Sequence, residues 1–308
     1  MIMSKLRAGW CLVLLVMVSM VVQAAPLKVA TLNLEWFPGQ SARSVDEEEA
    51  ARHIAEARAV LEEINPDILV ATEVCDPGAF EQIISGMEGL SMHVISNFKR
   101  EQDEQETNPL RDQQIAIATR LKPVAAWAEP WAVTIDGLSR GYAMVALENP
   151  DTGKLIVVYG LHLKSNRSSS PEQEQLNYDL RDESVRQLVA HMTRIEGDFA
   201  SVGVDAWIVA GDVNTNHDGV FGDRVVEMIE EAGFWNTFGR VPPEERPTWK
   251  GRYSYYPPGT LDYIFVKNLG EPDAAIVEIP YTVSDHNAVV VEVELPVAHE
   301  EVTDAQDQ

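Results

Sequence analysis

The sequence predicts an α/β fold with mixed sheets, and three observations predict it. Apolar runs of strand length stop abruptly at polar residues, as at residues 206–211, where Ala-Trp-Ile-Val-Ala-Gly runs into Asp212, Val213, Asn214 and Thr215. Residues 27–71 read as a strand, an amphipathic helix and a second strand, the alternation of an α/β protein. Asn149-Pro150-Asp151-Thr152-Gly153 is hairpin chemistry between two apolar runs and implies antiparallel pairing there.

In chain order, Lys5 and Arg7 precede an apolar run from Trp10 to Val22, which ends in Val22, Gln23 and Ala24. Residues 1–24 therefore read as a secretory signal peptide cleaved after Ala24, and the mature protein is expected to be secreted or periplasmic. No second apolar stretch approaches the roughly 20 residues of a spanning helix, so no stable membrane insertion is expected after cleavage. Cys11 leaves with the leader, and Cys75 alone cannot form an internal disulfide, so stability must come from the core. Cys75 itself reads as a small buried hydrophobe. Residues 25–296 carry no repeat or dividing linker and read as one catalytic domain, and the acidic tail 297–308 is expected to be disordered.

The formal charge of −25 becomes −27 once Lys5 and Arg7 are removed. Such a surface repels polyanions at long range and argues against a protein that holds nucleic acid by charge alone. It is compatible with a site that carries its own divalent cation, the largest local charge where one is bound. An acidic surface also simply keeps a protein soluble.

Residues 27–34 form the first expected strand, with Asn33 near its end. Ile54, Ala57, Leu61 and Ile64 recur at helical spacing, Glu47 to Glu49 supply negative charge at the helix start, and Asn65-Pro66-Asp67 stops it. His53 on this helix reads as a surface residue. Residues 68–71 are a buried strand that delivers Glu73 to its C-terminal end. The polar stretch 99–112 reads as a surface loop. Strands follow at 115–119, 142–148 and 155–163, the last running out at His162 and Lys164. Residues 172–194 have helical character, and Arg167, Arg181 and Arg186 read as solvated. A helix at 220–232 is closed by Gly233. Strands at 261–266, carrying Asp262, and at 288–294, preceded by Ser284-Asp285-His286, complete the set.

Six separated segments thus bring polar residues to or beside strand ends: Asn33, Glu73, His162, Asp212 with Asn214, Asp262, and Asp285 with His286. Singly, each has a plainer reading. Gly, Asp and Asn are the commonest turn formers, so residues 211–214 fit either a turn or a ligand-binding strand end. In a strand continuing past Gly211, Asp212 and Asn214 would share one face. Jointly the six supply what phosphoester hydrolysis requires: carboxylates for a cation, a base for water, donors for developing charge and an acid at the leaving oxygen. Residues 212–218 also imitate the start of a calcium loop, but His217 stands where that loop needs glycine.

Asn33 in TLNLEWF, Glu73 in ILVATEV, His162 in VVYGLHLKS, VAGDVNT, Asp262 in TLDYIFV and Ser-Asp-His at 284–286 resemble the ordered motifs of the endonuclease/exonuclease/phosphatase superfamily. The resemblance spans about Leu27 to Leu295 and implies a four-layer α/β sandwich, two mixed β-sheets packed face to face with flanking helices. It implies that Asn33 and Glu73, with Asp285 beside them, hold Mg2+, with Mn2+ or Ca2+ as alternatives. His286 would be the general base or an imidazolium facing the phosphate, oriented by Asp262. Asp212 would align or deprotonate the attacking water, Asn214 would donate to a phosphate oxygen, and His162 would serve the phosphate or the leaving group. His162 matches the deoxyribonuclease and sphingomyelinase branches rather than the abasic-site branch. Leu261-Asp262-Tyr263 departs from the inositol-phosphatase signature. Lys164 is the best placed cation for substrate, and Trp36 fits either base stacking or packing. The expected function is a secreted, divalent-metal-dependent phosphodiesterase, a nuclease acting on DNA or RNA. A sphingomyelinase is the alternative enzyme, and a non-catalytic secreted binding protein is the alternative of another class.

Overall fold

The computed structural model describes residues 26–40, 46–98, 112–215, 221–251 and 257–298. The leader, nearly all of the loop expected at 99–112, His217 and most of the acidic tail lie outside the described residues.

Strand β1 (Leu27–Phe37) is almost wholly buried, because both faces of its sheet are covered. Helix α1 (Glu47–Ile64) starts where Asp46 accepts the backbone N–H of Glu48, and ends where Asn65 turns left-handed. His53 corrects the surface assignment: it is 2 % exposed and occupies the inward stripe with Ala57, Leu61 and Ile64. Its Nδ1 accepts from Gly39 N at 2.8 Å and its Nε2 donates to Val283 O at 2.7 Å. With both ring nitrogens satisfied by backbone, the imidazole can be buried, and burial lowers its pKa so that it stays neutral.

Strand β2 (Ile68–Val74) leads into α2 (Pro77–Ile84), a helix the sequence reading passed over although Asp76 caps it and Pro77 opens it. Strands β3 (Ser91–Ile95), β4 (Gln114–Thr119) and β5 (Pro123–Pro130) follow. Strand β5 lies at a sheet edge, where its prolines are tolerated, and its prolines and alanines give a weak strand signal in the sequence. Strands β6 (Gly141–Glu148) and β7 (Leu155–His162) form the expected hairpin. Then come α3 (Pro171–Asp198), β8 (Val204–Asp212), α4 (Val225–Glu231), β9 (Trp235–Asn236), β10 (Asp262–Lys267), β11 (Ala275–Val277) and β12 (Ala288–Val293). Helix α4 starts at Val225, later than expected, because Asp223 is drawn into a buried ion pair and Arg224 is not helical.

The strands form two six-stranded sheets, ordered β11-β12-β1-β2-β4-β3 and β5-β6-β7-β8-β10-β9. Each contains one parallel pair, β1 with β2 and β7 with β8, and is otherwise antiparallel. Alternation along β1 decides what each side chain meets. Ala30, Leu32 and Leu34 pack with Ala57 and Leu61 of α1 and Phe80 of α2, while Val29 joins Val145, Val157 and Val209 between the sheets. Leu180, Val185 and Leu188 of α3 and Val225 of α4 extend that second cluster. The result is the four-layer α/β sandwich. Among the described residues no helix is long and apolar enough to cross a membrane.

Two glycines of the central strands allow close approaches that no Cβ would permit. A Cβ on Gly160 of β7 would lie 2.6 Å from Ile115 Cγ2 in the facing sheet. On Gly211, whose φ is +136°, it would lie 2.0 Å from the Leu161 carbonyl oxygen of the neighbouring strand. That atom is backbone and cannot swing aside. Gly211→Ala is therefore expected to destabilise the protein by about 3 kcal/mol or more, read from urea midpoints. A midpoint equal to wild type would contradict the register of β7 against β8.

Helix α3 also supplies a pH-dependent contribution. His191 is buried in an aromatic cluster with Tyr142, Tyr159 and Trp127, and its Nδ1 lies 2.7 Å from the Tyr159 hydroxyl. Burial, assisted by Arg194, lowers its pKa to about 4. The unfolded chain therefore binds a proton that the folded one refuses. This contribution is whole above pH 6.5 and is lost as pH falls toward 4. Thermal midpoints of His191→Gln should fall less steeply than wild type over that window, and parallel slopes would contradict the assignment.

Candidate active site

The register of the second sheet lines up three of the sequence candidates. His162 at the end of β7 is directly opposite Asp212 at the end of β8, and Asp212 is opposite Asp262 at the start of β10. All three are buried. In the first sheet Asn33 of β1 is opposite Thr72 of β2, one residue before Glu73. Both strands are irregular at this point, with positive φ at Glu35, Trp36 and Glu73. Backbone in this region re-aims side chains and is concentrated at functional sites. Here it turns Glu73 so that its Oε2 accepts the Trp36 backbone N–H at 3.0 Å.

One side chain joins the two sheets. The Asn33 amide donates to Glu73 Oε1 at 3.1 Å and to Asp212 Oδ2 at 3.0 Å. The Nε2 of His162 lies 3.6 Å from Asp212 Oδ2 and 3.9 Å from Glu73 Oε1. Ligand atoms of Glu73, His162 and Asp212 all lie within 4.8 Å of one another, and so do those of Asp212, Asp262 and His286. Asp212 belongs to both groups.

Strand β8 ends at Asp212, which corrects the shared strand face expected for Asp212 and Asn214. Asn214 is left-handed, with φ 53°, and its backbone N–H donates to Asp212 Oδ1 at 2.9 Å. The stretch is therefore a turn, and it leaves Asp212 within reach of both groups of side chains. The Asn214 side-chain amide donates to Leu163 O at 3.2 Å, tying the exits of β8 and β7 together.

The Nδ1 of His286 donates to Asp262 Oδ2 at 2.6 Å, which leaves Nε2 as the outward atom. Ser284 fixes this segment, donating to Asn33 O at 2.6 Å and accepting from His286 N at 2.9 Å. Asp285 Oδ2 accepts from Trp249 Nε1 at 3.2 Å, and its Oδ1 lies 3.9 Å from His286 Nε2. Asp285 joins neither cluster.

Electrostatics separate the roles. Burial raises the Asp212 carboxyl to about 7, and the charges of Asp262 and Glu73 add to that against the opposing pull of His286 and the Asn33 hydrogen bond. Burial would lower His286, but the charge and hydrogen bond of Asp262, with Asp212 and Asp285, outweigh it and raise the imidazole well above its ordinary value. His162 is pushed far down by burial, with Arg140 and His286 adding, so it is neutral. Three carboxylates converge on too little positive charge, which is the condition a divalent cation relieves. Burial raises the thiol of Cys75 to about 12, so it is inert.

Several participants were invisible in the sequence. Glu35 is buried, and its Oε2 accepts from Asp285 N at 3.0 Å and Gln40 Nε2 at 3.1 Å. Thr248 Oγ1 accepts the N–H groups of Leu261 and Asp262. Arg140 donates to the carbonyls of His162, at 3.1 Å, and Leu163. Only the two-residue step from Asn33 to Glu35 carried a local signal; the others meet the site through folding. Trp36 contributes its backbone to Glu73, with a half-buried ring, and Lys164 is half-buried. Arg167 and Arg186 are exposed as expected, but Arg181 is fully buried, with Asp223, the Lys164 carbonyl and two aromatic rings satisfying it.

Residues 30–286 match the model of the Endonuclease/Exonuclease/phosphatase family. Among solved structures, a family protein from Leptotrichia buccalis C-1013-b is 18 % identical, with a TM-score of 0.58 over 87 % of this chain and 100 % of that one. A Bacteroides vulgatus endonuclease/exonuclease/phosphatase is 15 % identical, with a TM-score of 0.62 over 88 % and 99 %. The human nocturnin catalytic domain, solved with a bound sulfate anion, is 18 % identical, with a TM-score of 0.59 over 89 % and 97 %. No curated protein matches the chain by sequence.

Proposed function

The chain belongs to the endonuclease/exonuclease/phosphatase family, and from that premise we propose that it is a divalent-metal-dependent phosphodiesterase acting on nucleic acid. Members of the family are generally hydrolases of phosphoesters. The observation that carries the finer reading is the sharing of Asp212 between the Glu73–His162 cluster and the Asp262–His286 cluster. A cation site and a phosphate-facing histidine are thereby held side by side.

The donor set suits a hard cation. Glu73 and Asp212 offer carboxylate oxygens, and the Asn33 amide, its own oxygen held by the Glu35 N–H at 2.9 Å, keeps the two carboxylates side by side. A bound Mg2+ would polarise a phosphoryl oxygen and offset the charge that gathers on it. The chain's own groups do the rest. Asp212, with one oxygen held by the Asn214 N–H, is suited to align or deprotonate the attacking water. His286, held charged by Asp262, presents Nε2–H to the phosphate and stabilises developing negative charge. Asn214 uses one amide hydrogen on Leu163 O and has the second for a phosphate oxygen. Neutral His162 is suited to the leaving oxygen. Asp285 orients the His286 face, and Lys164 and Trp36 are proposed for the substrate's flanking parts. We place the mature enzyme outside the cytoplasm on the strength of residues 1–24.

The test is purified mature protein with Mg2+, offered plasmid DNA, RNA, sphingomyelin vesicles and a phosphomonoester, each with and without chelator. Cleavage of a nucleic acid, abolished by chelation, is expected. Turnover of sphingomyelin alone would replace the nuclease reading with a lipid phosphodiesterase. Absence of any turnover, or turnover indifferent to chelation, would overturn the reading.

A further inference from the structure

Outside the catalytic clusters lies a second buried charge pair with no chemistry of its own. Arg181, in the third turn of α3, and Asp223, just before α4, have side chains 0 % and 1 % exposed. The Nε of Arg181 donates to Asp223 Oδ2 at 3.0 Å, and its terminal nitrogen reaches the same oxygen. Its other terminal nitrogen donates to the carbonyl of Lys164 at 2.9 Å, two residues past His162. The second oxygen of Asp223 accepts from the hydroxyl of Thr215, the residue after Asn214. One ion pair therefore grips both loops that leave the central parallel strands β7 and β8. Tyr178 and Phe221 cover the guanidinium, with its carbon 5.3 and 6.0 Å from the two ring centres.

We propose that Arg181 and Asp223 are positioning residues, which set the distance between the His162 and Asn214 sides of the site by tying their loops to α3. The proposal rests on the reading of this site as a phosphoester hydrolase. Stability alone is a poor reason for the pair, because well-packed apolar residues commonly replace a buried ion pair without loss. What apolar residues cannot supply is a directional hold on the Lys164 carbonyl and the Thr215 hydroxyl at once. A fork with its donors in a fixed plane does so. Catalysis is sensitive to such placement: a misplacement of about 1 Å can lower a rate about 100-fold.

The test compares wild type with the apolar replacement Arg181→Met/Asp223→Leu and with Thr215→Val, which cuts only the link to the Asn214 loop. The double variant should melt within a few degrees of wild type, keep KM within about threefold, and lose at least about tenfold in kcat. Thr215→Val should lower kcat about threefold at unchanged KM, with the melting temperature down by a few degrees because the buried Asp223 loses its hydroxyl donor. Amide exchange at residues 162–166 and 212–215 should quicken at least about tenfold in the double variant. A folded double variant with wild-type kcat and exchange would overturn the proposal. If that variant does not fold, Thr215→Val decides it, and wild-type kcat and exchange there overturn it. If wild type hydrolyses nothing, the functional reading fails while the exchange measurement still decides the clamp.

Discussion

His286→Ala is expected to lower phosphodiester turnover at least about 100-fold at saturating Mg2+. His286 is the one cationic side chain within either catalytic cluster, and Asp262, Asp212 and Asp285 together keep it so. Alanine removes that charge and also strands Asp262, which is 0 % exposed and already has an unpartnered Oδ1. Some loss of stability is therefore expected too, about 1–3 kcal/mol for a buried acceptor left without its donor. The two effects separate in solution. If the lost chemistry is a missing imidazole, added imidazole should restore part of the turnover without moving the melting temperature. Near-wild-type turnover by the unaided variant would remove His286 from the mechanism.

Asp212→Asn is expected to lose between about 100-fold and 10,000-fold, the range typical of a removed general base. The amide has nearly the carboxylate's shape and keeps an acceptor for the Asn214 backbone N–H, so the turn after β8 should survive. What disappears is the charge shared by both clusters. Calorimetric titration with Mg2+ should show weakened binding, because Asp212 sits beside Glu73 and the Asn33 amide. A variant within tenfold of wild type would show that another group takes the proton.

The sequence made the strand ends readable and left their meeting unreadable. Asp212 and His162 each stood at the end of an apolar run and Asp262 at the start of one, which needs only period and composition to find. That they form one row across three neighbouring strands depends on pairing between β7, β8 and β10, and no local pattern encodes which strands are neighbours. Asn33 and Glu73 came from the other sheet, and the single amide that bridges to Asp212 exists only because the two sheets face each other. His53 and Arg181 were misassigned for one reason: polar residues on helices are usually solvated, and only tertiary structure reveals the backbone carbonyls and carboxylate that satisfy them. Helix α2 carried legible start signals in Asp76 and Pro77, whereas edge strand β5, with its prolines and alanines, did not.

If this shared carboxylate centre cleaves phosphodiesters, it should do so only with a divalent cation. The most direct test is supercoiled plasmid incubated with metal-free protein, before and after Mg2+ is added, in parallel with Glu73→Gln. Intact plasmid is expected without the cation, nicking by wild type once it is supplied, and little or none by Glu73→Gln. Nicking by the metal-free protein, or equal nicking by the two proteins, would contradict it.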